Sequence, residues 1–201
     1  MMDGIWSLEM PGDGLLPDIW DLQPAIGLLV QIQQRDLSLA LHCHRVANLA
    51  TRLARELGFH HDEVRTIRWA ALLHDVGKLR ISDAILNKGG PLNADEWAVV
   101  HRHPAEGAEM VATLTGMHDV AELVLAHHER VNGSGYPYRL ALENIPFGAR
   151  ILGVADSYCA MTDKRIYRPS LTPAQAHSEV LRCVHTDFDA KVVSAFLSLN
   201  I

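Results

Sequence analysis

A chain of 201 residues, 48% hydrophobic and 21% charged, has the composition of a folded, water-soluble protein and is long enough to bury a substantial core. Its formal charge of −6 excludes a surface that coats nucleic acid, but a small phosphate-bearing ligand needs only a few local cations. Three cysteines (Cys43, Cys159, Cys183) without a C-x-x-C pair, no basic leader and no apolar run of membrane-spanning length together lead us to expect a cytoplasmic protein with no membrane contact and no disulfide framework.

Residues 1–23 mix Gly4, Pro11, Gly12, Gly14 and Pro17 with five acidic residues and read as an irregular lead-in; residues 24–201 read as one domain. Pro24 suits the first turn of a helix running PAIGLLVQIQQ. From Leu39 to Leu57 the apolar residues Leu39, Val46, Leu49, Leu53 and Leu57 follow three- and four-residue steps, and His42 lies on that stripe. His44 falls on the polar face with Asn48, Thr51 and Arg55. Gly58 stops this helix, and the next runs from about His61 into His74-Asp75. A loop over Lys78–Leu92 precedes a helix capped by Asn93, and Pro104 places His103 at a helix junction. Two helices are expected over 105–115 and 117–129, the second ending in His127-His128-Glu129. The Asn132–Pro137 stretch (NGSGYP) is a breaker-rich loop. Helix resumes over Ile151–Met161, and a last pair covers Pro173–Val184 and Asp189–Leu199. No segment alternates over a strand's length, so the expected fold is all-α, a single helical bundle.

Twelve histidines exceed what surface decoration needs. His42, His74, Asp75, His103, His127, His128 and Asp156 lie on or beside apolar helical stretches. The pair His74-Asp75 reads either as metal ligands or as a helix end where a histidine favours the dipole, and His42 alone reads equally as a core histidine. Adjacent residues on a helix diverge by about 100°, so His127 and His128 can share one pocket only near a helix end. Asp75 is the candidate bridge if the seven residues hold two ions.

The order H…HD…H…HH…D, with HDVGK at 74–78, HP-x-x-G at 103–107, HHERVNGSGYP at 127–137 and VADSYCAMTDKRIYR at 154–168, resembles the HD-GYP family, a group of metal-dependent phosphohydrolases. The likeness covers about residues 36–199. It implies an all-helical fold and a metal-dependent phosphodiesterase that hydrolyses cyclic di-GMP to linear pGpG and on to GMP. Two divalent ions are implied, iron or manganese, with nickel or zinc also compatible with such donors. His42, His74 and Asp156 would hold one ion and His103, His127 and His128 the other, with Asp75 bridging. Asp75 and Lys78 would be the catalytic pair. Lys78, Arg165 and Arg168 would contact the substrate phosphates, although Arg168 also fits a solvated surface. Gly135-Tyr136-Pro137 would form a rigid loop against the ligand site and a surface for GGDEF-type or other signalling proteins, with no nucleic-acid polymer as partner.

Four positions depart from the family pattern, as does the loop after Gly-Tyr-Pro, which reads Tyr138-Arg-Leu-Ala-Leu without the usual glycine. Ser38 replaces the glutamate that supplies a third metal site in some members, so two ions are expected. Cys159 replaces the second carboxylate of D-x-x-D and reads as an inert core thiol or as a soft extra contact to metal or substrate. Asn132 stands where an aspartate is usual, and Ile166 where a proline is usual. None is an expected ligand. They leave room for a second reading, a catalytically weak or inactive cyclic di-GMP sensor or protein-interaction module.

Overall fold

The computed structural model describes residues 22–163 and 170–199. Of the expected lead-in, residues 1–21 lie outside this range, as do Arg165, Ile166 and Arg168.

Local sequence sets the helix ends. α1 (Gln23–Arg35) carries Pro24 in its first turn, and α2 (Leu37–Glu56) starts where Asp36 accepts hydrogen bonds from the Ser38 and Leu39 amides. Gly58, at a φ of +79°, ends α2 in a conformation that costs glycine little. α3 (His61–Leu73) opens with a Glu63 side chain on the His60 amide. It runs into the His74-Asp75 turn and a 3-10 segment, Val76–Arg80. A reciprocal Asn93–Glu96 capping box starts α5 (Ala94–Val100). The chain continues through α6 (His103–Ala112), α7 (His118–Ala126), α8 (Phe147–Thr162), α9 (Pro173–Arg182) and α10 (Ala190–Ser198). Among the described residues there is no strand, only two isolated bridges, so the fold is all-α.

Two local expectations change. The Lys78–Leu92 stretch is not all loop: it contains the end of the 3-10 segment and one helical turn, α4 (Asp83–Leu86). A single turn is too short to leave a periodic signal, and here it is tied from outside, since Arg35 pairs with Asp83 (2.7 Å) and donates to the Lys78 carbonyl (2.7 Å) and to Ile81 O. Thr51, assigned to the polar face of α2, is buried. The reason is the position of α2, which packs against α1, α3, α8 and α10 and so buries more of its circumference than one apolar stripe.

That position makes α2, α3 and α8 the scaffold of the molecule. Val46, Ala47, Ala50, Leu53 and Ala54 of α2 face Ile67, Ala70, Ala71 and Leu73 of α3 and Ile151, Leu152 and Ala155 of α8, all buried. Each large apolar side chain buried there contributes roughly 1.5–3 kcal/mol. The same helices carry His42, the His74-Asp75 turn and Asp156, so core packing fixes these residues. No helix among the described residues is long and apolar enough to cross a membrane.

Candidate metal centre

His74, Asp75, His103 and His127 are each at most 2% exposed, and His42 is 8% exposed. Their imidazoles form a connected group: ring centroids lie 5.5 Å apart for His42–His74, 5.1 Å for His74–His127, 5.4 Å for His103–His127 and 4.0 Å for His127–His128. The donor atoms fall into two sets that share one residue. His42, His74 and Asp75 form the first; Asp75, His103, His127 and His128 form the second. Asp156 borders the first set, its Oδ1 3.0 Å from His42 Nε2 and 3.9 Å from His74 Nε2.

The helix ends do the aiming. His74, His103 and His127 each sit at a helix terminus and donate Nδ1–H to the carbonyl three residues back: Ala71 (2.8 Å), Val100 (2.7 Å) and Val124 (2.6 Å). A carbonyl only accepts, so Nδ1 carries the proton and Nε2 presents its lone pair inward. His127 and His128 share the pocket because α7 stops at Ala126.

The inward atoms test whether a metal fits. Nε2 of His74, His103 and His127 and Oδ1 of Asp75 are buried without hydrogen-bond partners. Asp75 Oδ1 is 3.2 Å from His103 Nε2, close enough for an ion pair but without hydrogen-bond alignment. Four polar atoms left so within one site would be costly in an apolar interior. Imidazole nitrogen with carboxylate oxygen is a donor set for first-row divalent cations, with second-shell carbonyls on the far ring nitrogens. The residues fit a first-row divalent metal, and Asp75 is common to both donor sets.

Electrostatics follow the same division. Burial pushes His128 down to about 3 and holds His127 well below the ordinary imidazole value, reinforced by the neighbouring histidines, so both are neutral donors at pH 7. Burial alone would raise the Asp75 carboxyl, but Lys78 and His74 outweigh it and hold the group well below its usual range. At His74, burial is likewise outweighed, here by Asp75, and the ring's affinity for a proton rises.

Around these groups lies a cavity of about 450 Å³. His42, Asp75, His103, His128 and Asp156 form its floor, Lys78, Lys88 and Arg130 add positive charge, and Trp97, Leu92 and Tyr136 line the remaining wall. Lys78 Nζ is 2.7 Å from Asp75 Oδ2, beside the shared carboxylate. Tyr136 packs over His128 (4.7 Å) and stacks on His101 (4.1 Å), so the Gly-Tyr-Pro loop forms part of the cavity wall. Gly135 is obligatory there, since a Cβ would come within 2.5 Å of backbone atoms of His128, Glu129 and Arg130. Cys159 is buried and absent from the lining, and burial raises its thiol to about 11, so it is a neutral core group. Ser38 is exposed, its Oγ bonds Asp36, and it does not line the cavity.

Two positioning groups had no assigned role in the sequence. Buried Glu129 accepts from the Tyr138 (2.7 Å) and Leu140 (2.9 Å) amides and so clamps the loop. Asp163 accepts from or pairs with His42 Nδ1 at 2.7 Å. Both lie inside quoted motifs, but a polar residue beside a breaker-rich stretch carries no pattern that distinguishes an internal clamp from a solvated side chain.

A family model described as HD domain matches residues 28–192. The chain belongs to the HD-domain family. Within it, the motif order belongs to the HD-GYP branch. The chain is 38% identical over 170 residues to a cyclic di-GMP phosphodiesterase of Pseudomonas aeruginosa, covering 84% of this chain and 41% of that one. It is 36% identical over 168 residues to a 3'3'-cGAMP-specific phosphodiesterase of Vibrio cholerae, covering 83% and 32%. The chain thus spans less than half the length of these relatives. Its fold also matches a solved cyclic GMP-AMP specific phosphodiesterase of V. cholerae, with a TM-score of 0.64 at 18% identity over 87% of this chain and 47% of that one.

Proposed function

We propose that this HD-GYP domain is a metal-dependent phosphodiesterase that hydrolyses a cyclic dinucleotide, cyclic di-GMP in the first instance, to linear pGpG and onward to GMP. The observation that carries this reading is the pair of donor sets sharing Asp75 on the floor of a cation-rimmed cavity. The printed activities of the relatives, against cyclic di-GMP and 3'3'-cGAMP, support the substrate class.

Two divalent ions, iron or manganese, held by His42, His74 and Asp156 and by His103, His127 and His128, with Asp75 between, would supply Lewis acidity for in-line displacement at phosphorus. The residues do the rest. Lys78 neutralises a phosphoryl oxygen from beside Asp75, and Arg130 adds a second cation at the rim. Tyr136 and Trp97 wall the site, limit water and offer ring faces to a base. His74, His103 and His127 stay aimed because their outer nitrogens are tied to the backbone. The Gly135-Tyr136-Pro137 loop, followed by the exposed ring of Tyr138, is the surface we assign to a GGDEF-type or other signalling partner. A cytoplasmic setting follows from an intracellular messenger as substrate.

Two of the departures lend the second reading no support. Asn132 Oδ1 accepts from the Ser134 amide (2.9 Å), a turn an aspartate would close equally well, and Cys159 lies off the cavity lining. The test is product analysis of chain purified without air and loaded with Mn²⁺ or Fe²⁺. Formation of pGpG is the expected result. Two bound ions with no turnover of any cyclic dinucleotide would refute the enzyme assignment.

A further inference from the structure

His42 is held differently from the other inward histidines. His74, His103 and His127 are each anchored by a carbonyl three residues back, a contact any helix end supplies. His42 lies in the middle of α2, where carbonyls are used by the helix itself, and no such anchor exists. Instead its Nδ1 lies 2.7 Å from Asp163 Oδ2, 121 residues away, at the C-cap of α8. The other oxygen of that carboxylate pairs with Arg45, one turn along α2 from His42. Arg45 also donates to Thr162 Oγ1 (2.8 Å). Asp163 thereby bridges α2 and α8 at the level of the metal floor, seven residues after Asp156, whose Oδ1 is 3.0 Å from the opposite ring nitrogen.

We infer that Asp163 is the positioning residue for His42, a carboxylate that fixes the ring's tautomer and increases its strength as a donor to the first metal ion. The inference rests on the two-metal reading above and adds to it a carboxylate–histidine–metal arrangement on one flank only. With Nδ1 committed to Asp163, Nε2, which lies 3.0 Å from Asp156 Oδ1, would be the nitrogen left to ligate an ion shared with Asp156 and His74. A carboxylate accepts more strongly than a carbonyl, so the His42 Nδ1–H is held by a charged acceptor where its three counterparts have only a backbone carbonyl. The remaining contacts of Asp163 show how it is held: its own amide donates to the Cys159 carbonyl (2.8 Å), and Arg45 fixes the side chain. Arg45 is 45% exposed, and among the described residues its hydrogen bonds go to Asp163 and Thr162 and to no floor residue.

The experiment measures metal affinity rather than turnover. Metal-stripped wild type, Asp163→Ala, Asp163→Asn and Arg45→Ala are titrated with Mn²⁺ by calorimetry, and thermal midpoints are recorded alongside. Wild type is expected to take up two ions. Asp163→Ala weakens one of them by on the order of 10–100-fold and leaves the other unchanged. Asp163→Asn, which keeps the volume and an acceptor but not the charge, recovers part of the loss. Arg45→Ala lowers the thermal midpoint but retains most of the affinity. Unchanged affinity for both ions in Asp163→Ala overturns the positioning role, as does equal weakening of both ions or equal loss in Arg45→Ala. Wild type that binds fewer than two ions overturns the two-metal reading itself, and the role of Asp163 with it. Wild type that binds two ions without hydrolysing a cyclic dinucleotide removes the enzyme assignment and leaves this inference standing.

Discussion

The two flanks of the centre are built by different means. His103, His127 and His128 come from helix ends, and two of these three are aimed by backbone carbonyls within the same turn. On the other flank only His74 is a helix-end residue of that kind, while His42 and Asp156 project from the sides of α2 and α8 and reach one another across 114 residues of chain. The first construction is local and tolerant of small shifts between helices. The second depends on how α2 and α8 pack, and it therefore needs an added carboxylate, Asp163, to hold its ring. Asp75 belongs to both flanks and is the point at which their failures become common.

Replacing the shared residue should therefore produce the largest effect. Asp75→Asn is expected to lose both ions and lower turnover by at least about 10³-fold, as removal of the central charge at a metal-assisted site does. Metal analysis and product formation on the same sample check it; retention of two ions would mean that the flanks do not meet at Asp75. One step smaller, His127→Gln and His42→Gln should each lose a single ion. Two ions lost from either variant would show the flanks to be one cooperative unit.

Gly135→Ala probes the loop that roofs the second flank. Backbone atoms at 2.5 Å have no flexible end to give way, so a cost of about 2–4 kcal/mol in denaturant unfolding is expected. Tyr136 should shift off His128 with it, so metal affinity falls on that flank alone. A neutral substitution would indicate a looser loop than the geometry allows.

Protonation separates the flanks a further time in the metal-free chain. His127 and His128 have folded pKa values below the unfolded value of 6.5, with His128 near 3, so the unfolded chain binds more protons below 6.5. Stability contributed by that flank is present above pH 6.5 and is lost as pH falls toward 3. His44 and His101 shift in the same direction. His74 is raised, so its contribution is complete below 6.5 and is lost as pH rises through its folded value. Thermal midpoints of chelator-treated protein should fall steadily from pH 7 to pH 4. A midpoint that stays level or rises over that window would show that His127 and His128 are not buried neutral groups.

How much of this was legible in the sequence depends on the range of the interaction. The helices of the scaffold and the convergence of His42, His74, His103, His127 and His128 were readable, because periodicity and breakers mark helix ends and the motif order matched a family. The α4 turn was not, because one turn shows no period, and neither was the burial of Thr51, which depends on how many neighbours α2 acquires. Asp163 and Glu129 were visible as letters but not as contacts. A carboxylate that serves a histidine 121 positions away leaves no spacing signal, and one that clamps a loop looks the same in sequence as one in water.

Cys159 gives the smallest expected effect and the finest test of the comparison. The family pattern puts a carboxylate at this position, one turn beyond Asp156, and the sequence left open a contact to substrate. In the fold the thiol is buried among core residues, is raised to about 11 and does not line the cavity. The carboxylate that serves this flank stands four residues further on, at Asp163. Cys159→Ala should therefore cost only the transfer of a small buried group, about 1 kcal/mol, and leave metal content and turnover within about twofold of wild type. Cys159→Asp is the sharper variant. A second carboxylate placed there would be buried beside cations that already have partners, Arg45 being engaged by Asp163 and His74 by Asp75. It should lower stability by more than the alanine does, and a gain in turnover instead would show that position 159 faces the substrate.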